Sequence, residues 1–200
     1  MPSVYDLKPA FQGLLRPVLR RLAGLGVTAN QVTVAALLMS FATGAVIVWR
    51  PVPKSLLLLP AVLFLRMALN AMDGMLAREF DQKSRLGAIL NELGDVLSDT
   101  AIYLPLALVP GFSVWLIFGI VLLSALSEMT GVLGLMIGAS RRYDGPMGKS
   151  DRAFVFGALG LVLGFGVRSG RWLSWLLAGV LALLLVTVFN RARRALKEHP

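Results

Sequence analysis

Long apolar runs alternate with short polar breaks along almost the whole chain. Each run is near the ~20 residues that cross a bilayer as an α-helix. The pattern predicts six spans, at 31–49, 54–78, 85–108, 112–139, 152–168 and 171–190. The breaks fall at Arg50–Pro53, the polar hairpin Glu79–Ser84, Pro110–Gly111, the polar loop Ser140–Asp151 and Arg168–Arg171. Residues 5–26 behave differently. Leu14, Leu15, Val18, Leu19 and Leu22 recur at helical spacing while Arg16, Arg20 and Arg21 take other faces. This segment is too polar to span and reads as an amphipathic helix in the membrane interface. Gly26 ends it, and Thr28 or Asn30 caps the next helix. The expected fold is an all-α integral membrane protein, with residues 1–27 as an interfacial juxtamembrane helix and residues 28–200 as a six-helix transmembrane domain.

The composition agrees. The chain is 56% hydrophobic and only 16% charged, against about a quarter charged in soluble domains, and its mean hydropathy is +0.74. Absence of cysteine excludes disulfides and thiolate chemistry. The one histidine, His199, is the penultimate residue, which argues against histidine-based catalysis and His-rich zinc sites. A net charge of +9 in a soluble protein would point to nucleic acid. Here Lys and Arg sit between apolar runs, so they read as cytoplasmic anchors, and no nucleic-acid partner is expected. With both termini inside, 15 of the 20 basic residues fall on inner segments and 4 on outer ones (Arg50, Lys54, Arg168 and Arg171), with Arg66 inside span two. That bias puts both termini and the 79–84 hairpin in the cytoplasm. The N-terminus lacks the pattern of a cleavable signal peptide. The C-terminal run RARRALKEHP reads as an anchor for anionic lipid.

Residues 70–95 break the apolar pattern and concentrate the chemistry. Asn70, Asp73, Arg78, Asn91, Glu92 and Asp95 lie on two adjoining helical segments, where each ionisable group costs about 2.5–3.5 kcal/mol at a span centre. Asn70 and Asp73 are three apart and share a face; Asn91 and Asp95 are four apart and share another. If the faces meet, four oxygen-bearing side chains converge in a pocket opening to the cytoplasm. Oxygen-only ligands suit a hard divalent cation, Mg²⁺, Mn²⁺ or Ca²⁺, and not zinc. Gly74 and Gly87 permit close backbone approach, and Arg78 is placed to meet a phosphate. Deeper in, Arg66, Asp99 and Glu128 lie about 18, 21 and 20 Å below the inner ends of their spans. They are expected to meet as a buried ionic network, with Glu92 bonding across a helix interface. Asp99 and Glu92 are also the candidates to supply extra carboxylates to the pocket. The loop 141–152, with Arg141, Arg142, Lys149 and Arg152, reads either as positive-inside anchoring or as an anionic acceptor or headgroup site.

The central stretch resembles the CDP-alcohol phosphotransferases, also called CDP-alcohol phosphatidyltransferases, of class I. Their motif is D-x-x-D-G-x-x-A-R, about eight residues, then G-x-x-x-D-x-x-x-D. This chain matches it at Asp73, Gly74, Ala77, Arg78, Gly87 and Asp95, at the same spacing. A T-x-N-x-x-T lead into the first span (Thr28, Asn30, Thr33) extends the likeness. The resemblance implies transfer of a substituted phosphate from a CDP-linked donor, usually CDP-diacylglycerol, to a small alcohol acceptor, with release of CMP, in phospholipid biosynthesis. It implies Mg²⁺ or Mn²⁺ on Asn70, Asp73, Asn91 and Asp95, with Asp95 as the base that deprotonates the acceptor. It implies a cytidine diphosphate site lined by Asp73, Gly74, Ala77, Arg78 and Gly87, and an acceptor-phosphate site at Arg141, Arg142, Lys149 and Arg152. It also implies a homodimer among membrane lipids in a bacterial-type inner (plasma) membrane, with the active site cytoplasmic.

Two positions depart from the motif: Asn70 and Asn91 stand where the family has aspartate. Four carboxylates balance two divalent ions, whereas two leave the second ion uncompensated. Three outcomes follow: a weaker or one-ion enzyme, an enzyme with compensating acids, or a silent member that binds its nucleotide for binding or assembly. A transporter is disfavoured, because the acids cluster at one membrane face and trace no crossing path.

Overall fold

The computed structural model describes residues 4–198, so His199 lies outside the described residues. Among them the chain is all-helical: α1 (Val4–Gly24), α2 (Ala29–Trp49), α3 (Leu58–Glu79), α4 (Arg85–Tyr103), α5 (Val114–Met136), α6 (Lys149–Gly164) and α7 (Arg171–Lys197). A 3₁₀ turn over Pro53–Leu57 leads into α3, and another over Leu104–Leu108 extends α4 where Pro105 removes a backbone donor.

Four stretches are long and apolar enough to cross a membrane: Ala29–Trp49, Pro53–Glu79, Val114–Met136 and Arg171–Lys197. The other two expected spans differ for reasons written in their sequences. Helix α4 carries Arg85, Glu92, Asp95 and Asp99, and α6 has 16 residues. Helix α6 begins at Lys149, earlier than its apolar run, because the Asp151 carboxylate accepts the Gly148 backbone N–H at 2.9 Å and turns Lys149–Arg152 into a first helical turn. Helix α7 continues past its apolar run to Lys197.

The interior divides by depth. An apolar core of Leu56, Leu59, Leu63, Ile102, Leu106, Phe156 and Leu177 fills one half, with Tyr103 stacked on Phe156 at 4.4 Å between ring centroids. Buried charges occupy the other half. Outward faces are apolar, with Phe64, Leu93, Phe118 and Leu185 more than half exposed, which inverts the soluble arrangement and suits lipid.

Helix α1 divides its apolar stripe. Leu19 is buried, and with Leu15 and Leu22 it packs on Met72, Met75 and Leu76 of α3. Leu14 and Val18 stay exposed. Arg16 ties the helix to Glu79 at 3.3 Å. Helices α2 and α4 cross closely at Gly44, where a Cβ would lie 2.1 Å from the carbonyl oxygen of Ala101.

Candidate functional site

The T-x-N-x-x-T segment draws α2 onto the α3–α4 hairpin. Thr28 caps α2: its hydroxyl accepts from Gln31 N, and the Gln31 side chain accepts from Thr28 N at 2.9 Å. The next orphan donor, Ala29 N, reaches Gln82 Oε1 in the hairpin at 2.7 Å. One turn on, the Thr33 hydroxyl donates to Asp73 Oδ2 at 2.8 Å. At the start of α4, Ser84 Oγ accepts from Gly87 N at 2.9 Å. A Cβ at Gly87 would lie 2.7 Å from Asn30 Oδ1, so α4 begins against the Asn30 side chain of α2.

The α3 and α4 polar faces meet. Asn70 Nδ2 donates to Asp95 Oδ1 at 2.9 Å. The other Asp95 oxygen accepts from the Lys149 ammonium at the start of α6. Arg66 reaches the Asp95 carbonyl oxygen at 3.1 Å, with its guanidinium 3.6 Å from Oδ1. Asp73 and Asp95 are each 5% exposed. Asn91 is half-buried one turn before Asp95. Arg78 is exposed, with its guanidinium nitrogens folded over Gly74, 3.3–3.4 Å from where a Cβ there would sit. Among the described residues no carboxylate pairs with Arg78, which leaves it able to receive an anion.

Beneath the pocket runs a ladder of buried charges. Asp99 accepts Arg66 Nη1 at 2.5 Å and Arg152 Nη2 at 2.7 Å. Arg152 also meets Glu128 at 3.2 Å and gives Nη1 to the Met147 carbonyl. Glu128 in turn takes Arg191 at 3.2 Å and Arg141 at 3.4 Å, and Arg141 meets Glu92 at 2.5 Å. The expected Arg66–Asp99–Glu128 network therefore forms, with Arg152 as the link between the two acids. Arg152 is fully buried with its donors committed to that ladder, so it does not stand in the mouth of the pocket. Arg142 pairs with Asp144 at 2.8 Å and with Glu198. Arg141 Nε and Nη1 are buried without a partner, beside a Tyr143 ring 4.2 Å from its guanidinium carbon.

A family model for CDP-alcohol phosphatidyltransferase matches residues 26–190. The chain belongs to that family. It is 47% identical over 196 residues to "Inner membrane protein YnbA" of Escherichia coli (strain K12), covering 97% of this chain and 96% of that protein. Its fold is that of the Mycobacterium tuberculosis phosphatidylinositol phosphate synthase PgsA1. The structure with CDP-DAG bound aligns at TM-score 0.73 and 22% identity, over 90% of this chain and 92% of that one. The structure with manganese and citrate gives the same TM-score and identity, over 88% of that chain.

Every residue of the CDP-alcohol phosphatidyltransferase motif lies in the matched region, and the fold gathers α2, α3, α4 and the start of α6 around it. Arg191 belongs to the C-terminal run that reads as a lipid anchor, yet it is 2% exposed and gives Nη1 to the Ser127 carbonyl at 2.5 Å. The signal was present: Leu177, Val180, Leu184, Thr187 and Arg191 form one buried stripe at helical spacing on α7. Lys149 reads from sequence either as a positive-inside anchor or as an acceptor-site cation; its ammonium rests on Asp95, a contact 54 residues away that no local pattern reveals.

The family's divalent ion can be tested against this donor set. Among the described residues no three acidic or histidine side chains converge as a metal cage. Asp73 keeps one carboxylate oxygen outside the Thr33 bond, and Asn70 and Asn91 offer amide oxygens. Both Asp95 oxygens face cationic or N–H donors. Asp73 is therefore the carboxylate that would hold a single hard ion.

Proposed function

We propose that this protein is a six-span inner-membrane phosphotransferase that moves a substituted phosphate from a CDP-linked donor, such as CDP-diacylglycerol, to a small alcohol, releasing CMP at the cytoplasmic face. The observation that carries it is the Asn70–Asp95 bond, which joins the two halves of the motif across the α3–α4 interface. Arg78 would hold the donor phosphates, and the Gly74 and Gly87 backbones admit the nucleotide. Asp95 would take the acceptor proton. Arg141, with two N–H groups unpartnered, would take the acceptor's anionic group. Asp73, helped by the amide oxygens of Asn70 and Asn91, would hold Mg²⁺ or Mn²⁺. When bound, such an ion supplies charge neutralisation at the pyrophosphate and the leaving CMP. Helix α1 lies in the inner interface with Leu14 and Val18 toward lipid, and the family's homodimer is the assembly this reading carries.

The test is CMP release from CDP-diacylglycerol in lipid nanodiscs, with Mg²⁺ or Mn²⁺ and a panel of acceptor alcohols. Release with one acceptor is expected, and Asp95→Asn should lower it by about 10²-fold or more. A second reading is a silent member that binds without turnover, favoured by the amides at 70 and 91. It wins if the native chain is inactive with every acceptor while Asn70→Asp/Asn91→Asp turns over.

A further inference from the structure

The pocket replaces lost negative charge with nothing and adds a positive one. Asp99 and Glu92 are the acids near enough to compensate for Asn70 and Asn91, and both are spent. Asp99 is held by Arg66 and Arg152, and Glu92 by Arg141. What remains is Asp73 and Asp95, with Lys149 on the latter.

The position of Lys149 is built, not incidental. Its loop is pinned to α5 by the Arg142 N–H on the Gly131 carbonyl at 3.0 Å. It is pinned to α7 by the Met147 N–H on Thr187 Oγ1 at 3.0 Å. Arg152 holds the Met147 carbonyl from inside α6. Lys149 is the first residue of α6, where the helix dipole disfavours a cation. The dipole cannot explain it, and the Asp95 carboxylate can.

We infer that the Lys149 ammonium is a tethered cation standing in for the second divalent ion of a four-carboxylate site, so that this protein binds one divalent ion where a full motif binds two. This rests on the metal-dependent reading above. The charges support it. With the Arg66 charge set against Asp99, two carboxylates and one ammonium leave −1, which a single divalent ion turns to +1. A second ion would leave +3 in a low-dielectric pocket before substrate arrives.

The experiment counts Mn²⁺ bound to purified, detergent-solubilised full-length protein by electron paramagnetic resonance. Wild type should bind a single Mn²⁺ per chain. Lys149→Met should tighten Mn²⁺ by about tenfold or more, since it removes a positive charge at contact distance. Lys149→Arg keeps the charge and should behave as wild type. Asn70→Asp/Asn91→Asp should still bind one ion, and adding Lys149→Met to it should admit a second. Two ions in wild type, or unaltered Mn²⁺ affinity in Lys149→Met, would overturn the inference. Thermal unfolding of each variant confirms that the counted protein is folded. CMP release from the same preparations is scored separately. Its absence throughout overturns the phosphotransferase reading and leaves the ion count to decide Lys149, whereas Mn²⁺ bound by no variant removes both.

Discussion

Asn70 donates its side-chain amide to Asp95 across the α3–α4 interface at 2.9 Å. A carboxylate only accepts hydrogen bonds, so the amide at 70 gives Asp95 Oδ1 a donor that a carboxylate there would not. The family's aspartate at this position would set two acids face to face. The departure at 70 thus supplies an N–H donor where an aspartate would add a second acid facing Asp95.

Asn70→Asp should therefore make folding depend on metal. In EDTA the new carboxylate faces Asp95 at contact distance, and the lost bond and repulsion should cost roughly 1–3 kcal/mol. Mn²⁺ should restore the thermal midpoint in detergent. A midpoint equal to wild type in EDTA would show that the two side chains do not meet.

The Arg66–Asp99–Arg152–Glu128–Arg191 ladder predicts strong effects from removing one member. Arg66→Leu leaves Asp99, 3% exposed, with Arg152 alone. Breaking a buried pair this way costs about 3–5 kcal/mol, because the remaining charge keeps its desolvation penalty. Arg152→Met should cost at least as much, since it uncovers Asp99 and Glu128 together. Wild-type thermal stability in either variant would remove the ladder from the account of stability.

What the sequence disclosed, and what it hid, follows the range of each interaction. Spans α2, α3, α5 and α7 are written in apolar runs, and the Asn70/Asp73 and Asn91/Asp95 faces follow from helical spacing within one segment. The Arg66–Asp99 pair was legible because depth in a bilayer is a single coordinate, and buried charges at one depth must find each other. Lys149 reads as loop because polar residues at a helix start resemble loop, and only the Asp151 cap marks it as helix. Arg191 was hidden by its neighbours: Arg193 and Arg194 are exposed, and composition cannot separate the one arginine that turns inward.

Gly44 tests the crossing that carries Thr33 and Asp95 toward the same pocket. A methyl there would lie 2.1 Å from the Ala101 carbonyl oxygen, which is backbone and cannot swing aside. Gly44→Ala should force α2 away from α4 and cost about 1–3 kcal/mol, despite alanine's better helix propensity. A stabilised Gly44→Ala, as propensity alone predicts, would show that the helices do not cross so closely.

Acid should loosen the contacts that fasten the 140–148 loop to the C-terminal end of α7. Burial alone would raise the Asp144 carboxyl, but hydrogen bonds and charge from Arg142, then Arg194, outweigh it and hold the group below the usual carboxylate range. Bonds from Ser140, then Arg142, do the same for Glu198. A carboxyl depressed in the folded state adds stability above its unfolded pKa, about 4, and loses it as pH falls through the lower folded value. The thermal midpoint should therefore fall with acid below about pH 4. Asp144→Asn should start lower at neutral pH and fall less steeply over that window. Identical acid slopes in the two proteins would mean that Asp144 does not fasten the 140–148 loop to α7.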